Sequence, residues 1–132
     1  MKYMLDTNIV IYAKNRRPPG VIERMLQQKP DDLCISAVTL AELEFGASKS
    51  SNPARNRMAL TLFLTGMRVA PFDAPAAREY GDIRHDLSSR GAVIGGNDML
   101  IAAQARSLGL TLVTNKTREF ERIDGLKLEN WV

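Results

Sequence analysis

Asp6 sits where an acid is least expected. It closes the apolar run of "YMLD" and is followed by Thr7, Asn8 and further apolar residues. Two more acids break apolar stretches in the same way. Glu42 interrupts Leu40, Leu43 and Phe45, and Asp98 abuts "MLIAA". Carboxylates drawn together at low dielectric repel and raise one another's pKa, and a divalent cation removes that penalty. Hard oxygen donors favour Mg²⁺, with Mn²⁺ as the alternative. One histidine and one cysteine supply no zinc set. A metal so held activates water and stabilises charge on a phosphoryl oxygen.

Each acid also has a plainer reading. Asp6 suits a turn stabilised by helix N-terminal N–H groups, and Asp98 suits a helix first turn. Thr39 and Glu42 have capping-box spacing, in which Glu42 bonds back to the Thr39 N–H. Glu119 has Arg118 and Arg122 beside it for surface pairs of small energetic value. What favours a metal is that Asp6, Glu42 and Asp98 share one pattern.

The elements that must position these acids alternate. "YMLD", "DDLCISA", "MRVAPFD", "LTLVTN" and "LKLENW" read as short strands. Between them lie helical stretches: "TNIVIYAKN" with Thr7 or Asn8 as N-cap, "VIERMLQQ", "VTLAELEFGAS" and "ARNRMALTLFLTG". "APAAREYGDIRHDLSSRG" carries Ala77, Tyr80, Ile83 and Leu87 as its stripe, and "NDMLIAAQARSLG" follows a glycine-rich loop with Asn97 as N-cap. Strand–helix alternation without an internal linker predicts one α/β domain over 1–132, with a largely parallel sheet and helices on both faces. In such sheets ligands gather beyond the carboxyl ends of the strands. Asp6, Glu42, Asp98 and the segment Asn115–Glu119 all follow strands or begin helices, and so are expected at one edge.

Composition narrows the classes. At 132 residues the chain has the size of one domain and needs no disulfides for its core. Cys34 has no partner, which fits a cytoplasmic location. No signal peptide is expected, because Asp6 and Asn8 interrupt the N-terminal apolar run, and no membrane span, because no segment approaches the apolar length needed. The net charge of +3 is spread over scattered arginines and lysines, as on an ordinary mixed surface. His85 lies within "IRHDL" and reads as a surface residue. No nucleophile elbow, phosphate-binding loop or dinucleotide fingerprint is present.

Four blocks in order carry a resemblance: "MLDTNI", "ISAVTLAELEFGA", "GGNDMLIAAQARSLGLTLVTN" and "REFERIDGLKLENW". Together they resemble the PIN-domain ribonucleases, and among these the VapC toxins of bacterial toxin–antitoxin pairs, from Tyr3 to Trp131. The resemblance implies a PIN-like α/β/α sandwich with a central, mainly parallel sheet and an acidic site for Mg²⁺ or Mn²⁺. Carried over by position, Asp6, Glu42 and Asp98 are the metal ligands and catalytic acids. Many PIN domains place a fourth acid shortly after the Thr of the last long strand; here Thr114-Asn115-Lys116 occupies that stretch. Glu119 is the nearest substitute as a catalytic acid, and a one-metal site is expected. Thr7, Asn97, Thr114 and Asn115 are the groups expected to orient carboxylates or water.

The implied reaction is endonucleolytic hydrolysis of RNA, with initiator tRNA in its anticodon stem-loop as the target suggested by the "TREFER" block. Tyr12, Arg16 and Arg17 are the residues considered for reading exposed loop bases. The implied partners are a VapB-type antitoxin, a second copy in a homodimer, and a toxin–antitoxin hetero-oligomer. Two other classes fit the acids less well. A phosphoryl-transfer enzyme would use an aspartyl nucleophile, but Asn8 stands where the phosphatase pattern needs an acid and Asp73 falls late for a receiver domain. A PIN fold without catalysis would fit the missing acid beside Lys116.

Overall fold

The computed structural model describes residues 1–132. Five short strands form one sheet: β1 (Tyr3–Leu5), β2 (Leu33–Ser36), β3 (Arg68–Ala70), β4 (Thr111–Val113) and β5 (Lys127–Glu129), in the order β3-β2-β1-β4-β5. Every neighbouring pair is parallel. Seven helices connect or flank them: α1 (Thr7–Asn15), α2 (Pro19–Leu26), α3 (Ala37–Ser48), α4 (Pro53–Phe63), α5 (Ala74–Ser89), α6 (Gly96–Ser107) and α7 (Thr117–Phe120).

The strands read as unbroken apolar runs because both faces of the sheet are covered. Side chains alternate between two cores. Tyr3, Leu5, Leu33, Ile35 and Val113 pack with Ile9, Val10, Val21, Leu43 and Leu60 from α1 to α4. Met4, Cys34 and Leu112 face the other way, against Ile83, Leu87, Ile101 and Ala105 of α5 and α6 and Phe120 of α7. The three layers follow from that alternation. Cys34 is sealed in the second core, where burial pushes its thiol up to about 11 and leaves it unreactive. At the C-terminus Trp131 packs edge-on against Tyr3, with ring centroids 5.1 Å apart, and so ties the chain end to β1.

Several local expectations are corrected. Asp6, not Thr7 or Asn8, is the N-cap of α1, its carboxylate accepting from the Thr7 N–H. Ser36 caps α3, accepting from the Val38 N–H, so Thr39 is already inside the helix. Helix α6 begins after Gly95, which leaves Asn97 within its first turn and without a capping role. In α5 the buried residues are Ala76, Ile83 and Leu87. Ala76, Tyr80, Ile83 and Leu87 step by four, three and four, nearer the helical repeat than a stripe starting at Ala77. Leu26, which helical spacing groups with Val21, Ile22 and Met25, lies on the outer side of α2 and is 73% exposed. The short helix α7 was not anticipated.

The order of strands reverses around β1, which pairs with β2 on one side and β4 on the other. Such a switch point opens a crevice at the carboxyl ends of the strands. A buried polar network fixes the elements around it. The Ser36 hydroxyl donates to Gln104 Oε1 at 2.6 Å, and Gln104 Nε2 donates to the carbonyls of Ala70, at 2.5 Å, and Pro71, at 2.8 Å. The ends of β2 and β3 are thereby bonded to α6, the helix that carries Asp98. Replacing Gln104 by Leu strands a buried hydroxyl and two carbonyls. It is expected to cost about 2–3 kcal/mol of unfolding free energy with an unchanged denaturant slope, measured by urea unfolding.

Candidate active site

Asp6 follows β1 directly and is 1% exposed. Both of its oxygens are engaged. The Thr7 N–H donates to Oδ1 at 2.8 Å, and the Thr114 hydroxyl, at the end of β4, donates to Oδ2 at 2.8 Å. These bonds straddle the switch point, where the Asp6 N–H also donates to the Val113 carbonyl at 2.9 Å. Burial raises the Asp6 carboxyl above its ordinary value. The hydrogen bonds from Thr114 and Thr7 pull it down, and repulsion from Asp98 pushes it up again.

Asp98 enters from the first turn of α6, with its side chain 14% exposed. The loop before it is shaped to admit the carboxylate. A Cβ on Gly95 would lie 3.3 Å from Asp98 Oδ2, so a larger residue there would crowd the acid. That loop is held from outside by Arg122, whose guanidinium donates to the carbonyls of Ala92, at 3.3 Å, and Val93, at 3.4 Å. Arg122 therefore does not pair with Glu119.

Lys116 is the group that joins the acids. Its ammonium lies 3.3 Å from Asp98 Oδ2. Burial opposes its charge, but Asp98 and then Asp6 outweigh that cost, with a further pull from Glu119, and the amine is held above the ordinary lysine value. Its backbone N–H donates to the Thr114 hydroxyl oxygen at 3.0 Å. The same hydroxyl thus serves Asp6 as donor and Lys116 as acceptor.

Glu42 lies on α3 and is half-buried. It does not form the capping box. Its Oε1 accepts from the Thr7 hydroxyl at 2.7 Å, and the Thr39 and Thr7 hydroxyls are paired at 3.2 Å. Thr7 therefore links two acids, Asp6 through its N–H and Glu42 through its side chain. Asn115 donates to the Tyr12 hydroxyl at 3.3 Å, while its Oδ1 is buried without a partner. Glu119 is half-buried in α7, near enough for its charge to act on Lys116. Asn97 is exposed, and Arg16 and Arg17 are exposed beyond the end of α1. Asp73 is the N-cap of α5, accepting from the Ala76 N–H at 3.1 Å, and His85 is exposed.

The donors fit a hard divalent cation in kind: carboxylate and hydroxyl oxygens, with a glycine making room for one acid. They are not drawn into a closed set, since no three acidic, histidine or cysteine side chains stand close enough together to hold a metal ion. Asp6 and Asp98 meet around the Lys116 charge, and Glu42 stands one threonine away. Beside them runs an open groove of about 900 Å³ lined by Thr7, Glu42 and Asn97 at one end and Phe45 and Lys49 at the other. A separate hollow of about 370 Å³, walled by Met25, Leu26, Leu33, Phe63 and Met67, contains no ionisable group.

Sequence reasoning did not find Gln104, Arg122 or Gly95 as supports. Glycine-rich spacing before Asp98 was the only available signal, and Lys116 stood out as a departure without a role.

The chain has relatives among known proteins. The PIN domain model matches residues 3–126. Across the whole chain there is 47% identity to a Haemophilus influenzae protein named Ribonuclease VapC2, covering 99% of it. Over 131 residues the chain is 46% identical to a Shigella flexneri protein named tRNA(fMet)-specific endonuclease VapC, covering 99% of this chain and 98% of that one. Among solved structures, DNA-bound VapBC from Salmonella typhimurium superposes with a TM-score of 0.94 at 41% identity, over 100% of this chain and 99% of that one. VapBC2 from Rickettsia felis, bound to a promoter DNA fragment, superposes with a TM-score of 0.92 at 40% identity, over 100% of both chains.

The raised Asp6 carboxyl has a consequence for stability. The folded chain holds that proton more tightly than the unfolded chain, so the group's contribution is greatest at low pH and is lost as the pH rises through the folded value. Asp6→Asn keeps an oxygen for the Thr7 N–H and removes the charge. In chelator-treated buffer at neutral pH, this variant is expected to melt above the wild type. Its stability is also expected to vary less between about pH 4 and 7. Circular dichroism melts over that range decide; a lower melting temperature at neutral pH would contradict the burial cost.

Proposed function

The chain belongs to the PIN-domain family and, within it, to the VapC ribonucleases, and from that premise we propose that it is the toxin of a type II toxin–antitoxin pair, acting as an Mg²⁺-dependent endoribonuclease. The observation that carries this reading is the meeting of Asp6 and Asp98 at the switch point of the sheet, with Glu42 tied to Asp6 through Thr7. Three elements distant in sequence deliver oxygen donors to one edge. Capping α1 would account for Asp6 alone, but not for a second carboxylate, Asp98, close enough to repel it.

Asp6, Asp98 and Glu42 are the residues that would hold Mg²⁺, or Mn²⁺ in its place. When bound, the metal supplies an activated water and neutralises charge developing on the phosphoryl oxygens. The chain's own contribution is positioning. The Thr7 N–H and Thr114 hydroxyl fix both oxygens of Asp6, and the Thr7 hydroxyl fixes one oxygen of Glu42. Carboxylates held in this way need no reorganisation as charge develops. Glu119, near enough for its charge to act on Lys116, is the further acid of this reading.

The groove between α1, α3 and α6 suits a single strand of RNA. Its inner end is Glu42 with Thr7, and its outer end is the exposed ring of Phe45 with the Lys49 ammonium 5.0 Å from the ring centroid. Unstacked loop bases are what side chains read in RNA, by stacking and edge hydrogen bonds. The Shigella relative's name supports initiator tRNA as the target. The VapBC complexes among the structural relatives support an antitoxin partner for this chain.

Purified chain is expected to cut initiator tRNA in its anticodon stem-loop in Mg²⁺, and to stop on chelation. Asp98→Asn is expected to lower the rate by about a hundredfold or more while leaving the fold intact. End mapping of cleaved RNA after brief expression in bacteria identifies the target. Unimpaired growth and intact RNA with the wild-type chain would sink the proposal.

A further inference from the structure

The ion pair between Lys116 and Asp98 is the only salt bridge at the acid cluster; the other three, Arg24–Glu129, Arg90–Asp86 and Arg106–Glu79, involve none of its residues. We infer that Lys116 is the resident counter-cation of this cluster, and that its ammonium and a divalent metal compete for Asp98. The inference rests on the metal-dependent reading above and adds what sets the metal affinity of this chain.

Three observations carry it. First, Lys116 Nζ engages Asp98 Oδ2, one of the oxygens a metal would need. Mg²⁺ demands about 2.0–2.1 Å to its ligands in near-octahedral order. An ammonium bonded to the same carboxylate blocks that approach and repels a second positive charge. Second, the backbone of Lys116 is held by several bonds while its side chain has a single polar partner. Its N–H donates to Thr114, and its carbonyl accepts from the N–H groups of Glu119 and Phe120, each at 3.2 Å. The side chain makes no polar contact other than with Asp98 and is 37% exposed, so it has a route outward that leaves the loop in place. Third, the one ammonium lies within reach of the charges of both Asp98 and Asp6, two of the acids that would hold a metal.

Competition of this kind is reciprocal: whatever Lys116 costs the metal, the metal costs the ion pair. Lys116 is therefore a positioning residue, and its effect is read in binding, not only in turnover. The test uses the full, antitoxin-free chain stripped with chelator, with Mn²⁺ binding followed by isothermal titration or electron paramagnetic resonance. Lys116→Gln is expected to bind Mn²⁺ about tenfold tighter than wild type, and Lys116→Arg no tighter than wild type, because the positive charge remains, on a guanidinium that also pairs with carboxylates. Equal or weaker Mn²⁺ binding by Lys116→Gln, with the wild type binding normally, overturns the inference alone. Absence of Mn²⁺ binding in both chains overturns it together with the metal-dependent reading.

A second measurement needs no variant. Reductive methylation of the wild-type chain, read by mass spectrometry, is expected to modify Lys116 several-fold faster with Mg²⁺ than without. Lys49, outside the cluster, serves as the control and is expected to show no change. An unchanged Lys116 rate at a Mg²⁺ concentration that saturates binding overturns the inference as well.

Discussion

A carboxylate buried at the end of the central strand is the constraint to which the rest of the site answers. Asp6 is removed from water, which disfavours its charge, and Asp98 adds like-charge repulsion. The local structure offsets this with directed donors. The first N–H of α1 and the hydroxyl at the end of β4 take one oxygen each. Lys116 supplies opposite charge from the next loop. Each donor comes from a residue adjacent to a strand end, and only a sheet with β1 between β2 and β4 brings those ends together.

The same constraint explains why the fold's polar supports are buried. Asp98 reaches the cluster only if α6 starts at the correct height above the sheet. That height is set by Gln104, about three-quarters of the way along the helix, which bonds to Ser36 at the end of β2 and to the carbonyls of Ala70 and Pro71 at the end of β3. A fully apolar core would fill the same volume without fixing where the helix sits along the sheet. Arg122 does the corresponding work on the outer side, clamping the loop at Ala92 and Val93. The position of Asp98 is thus set in part by residues that never touch it.

How much of this was legible in the sequence depends on the range of each interaction. Strands and helices were readable because apolar runs and helical spacing are local, and the all-parallel sheet followed from their alternation. Caps were misplaced by a few residues because Asp6 and Ser36 end strands as well as starting helices, and pattern alone does not divide the two roles. The Thr39–Glu42 spacing matched a capping box, but Glu42 bonds instead to Thr7, a residue 35 positions away. Gln104 and Arg122 were invisible for the same reason, since their partners lie 68 and about 30 positions off. Lys116 was noticed only as a missing acid; nothing local shows that its ammonium would turn back to Asp98.

The two threonines resolve an apparent conflict in Asp6. A helix-capping aspartate and a metal-holding aspartate make opposite demands, since a cap uses up an acceptor that a metal would want. Here the demands fall on different lone pairs. Oδ1 is held by the Thr7 N–H and Oδ2 by the Thr114 hydroxyl, and each carboxylate oxygen has capacity for a further partner. Thr7 and Thr114 each also reach a second charged residue, Glu42 in one case and the Lys116 backbone in the other. The capping bond is therefore part of what aims the acid. It orients the carboxylate and leaves a lone pair on each oxygen, the capacity that the proposed role of Asp6 requires.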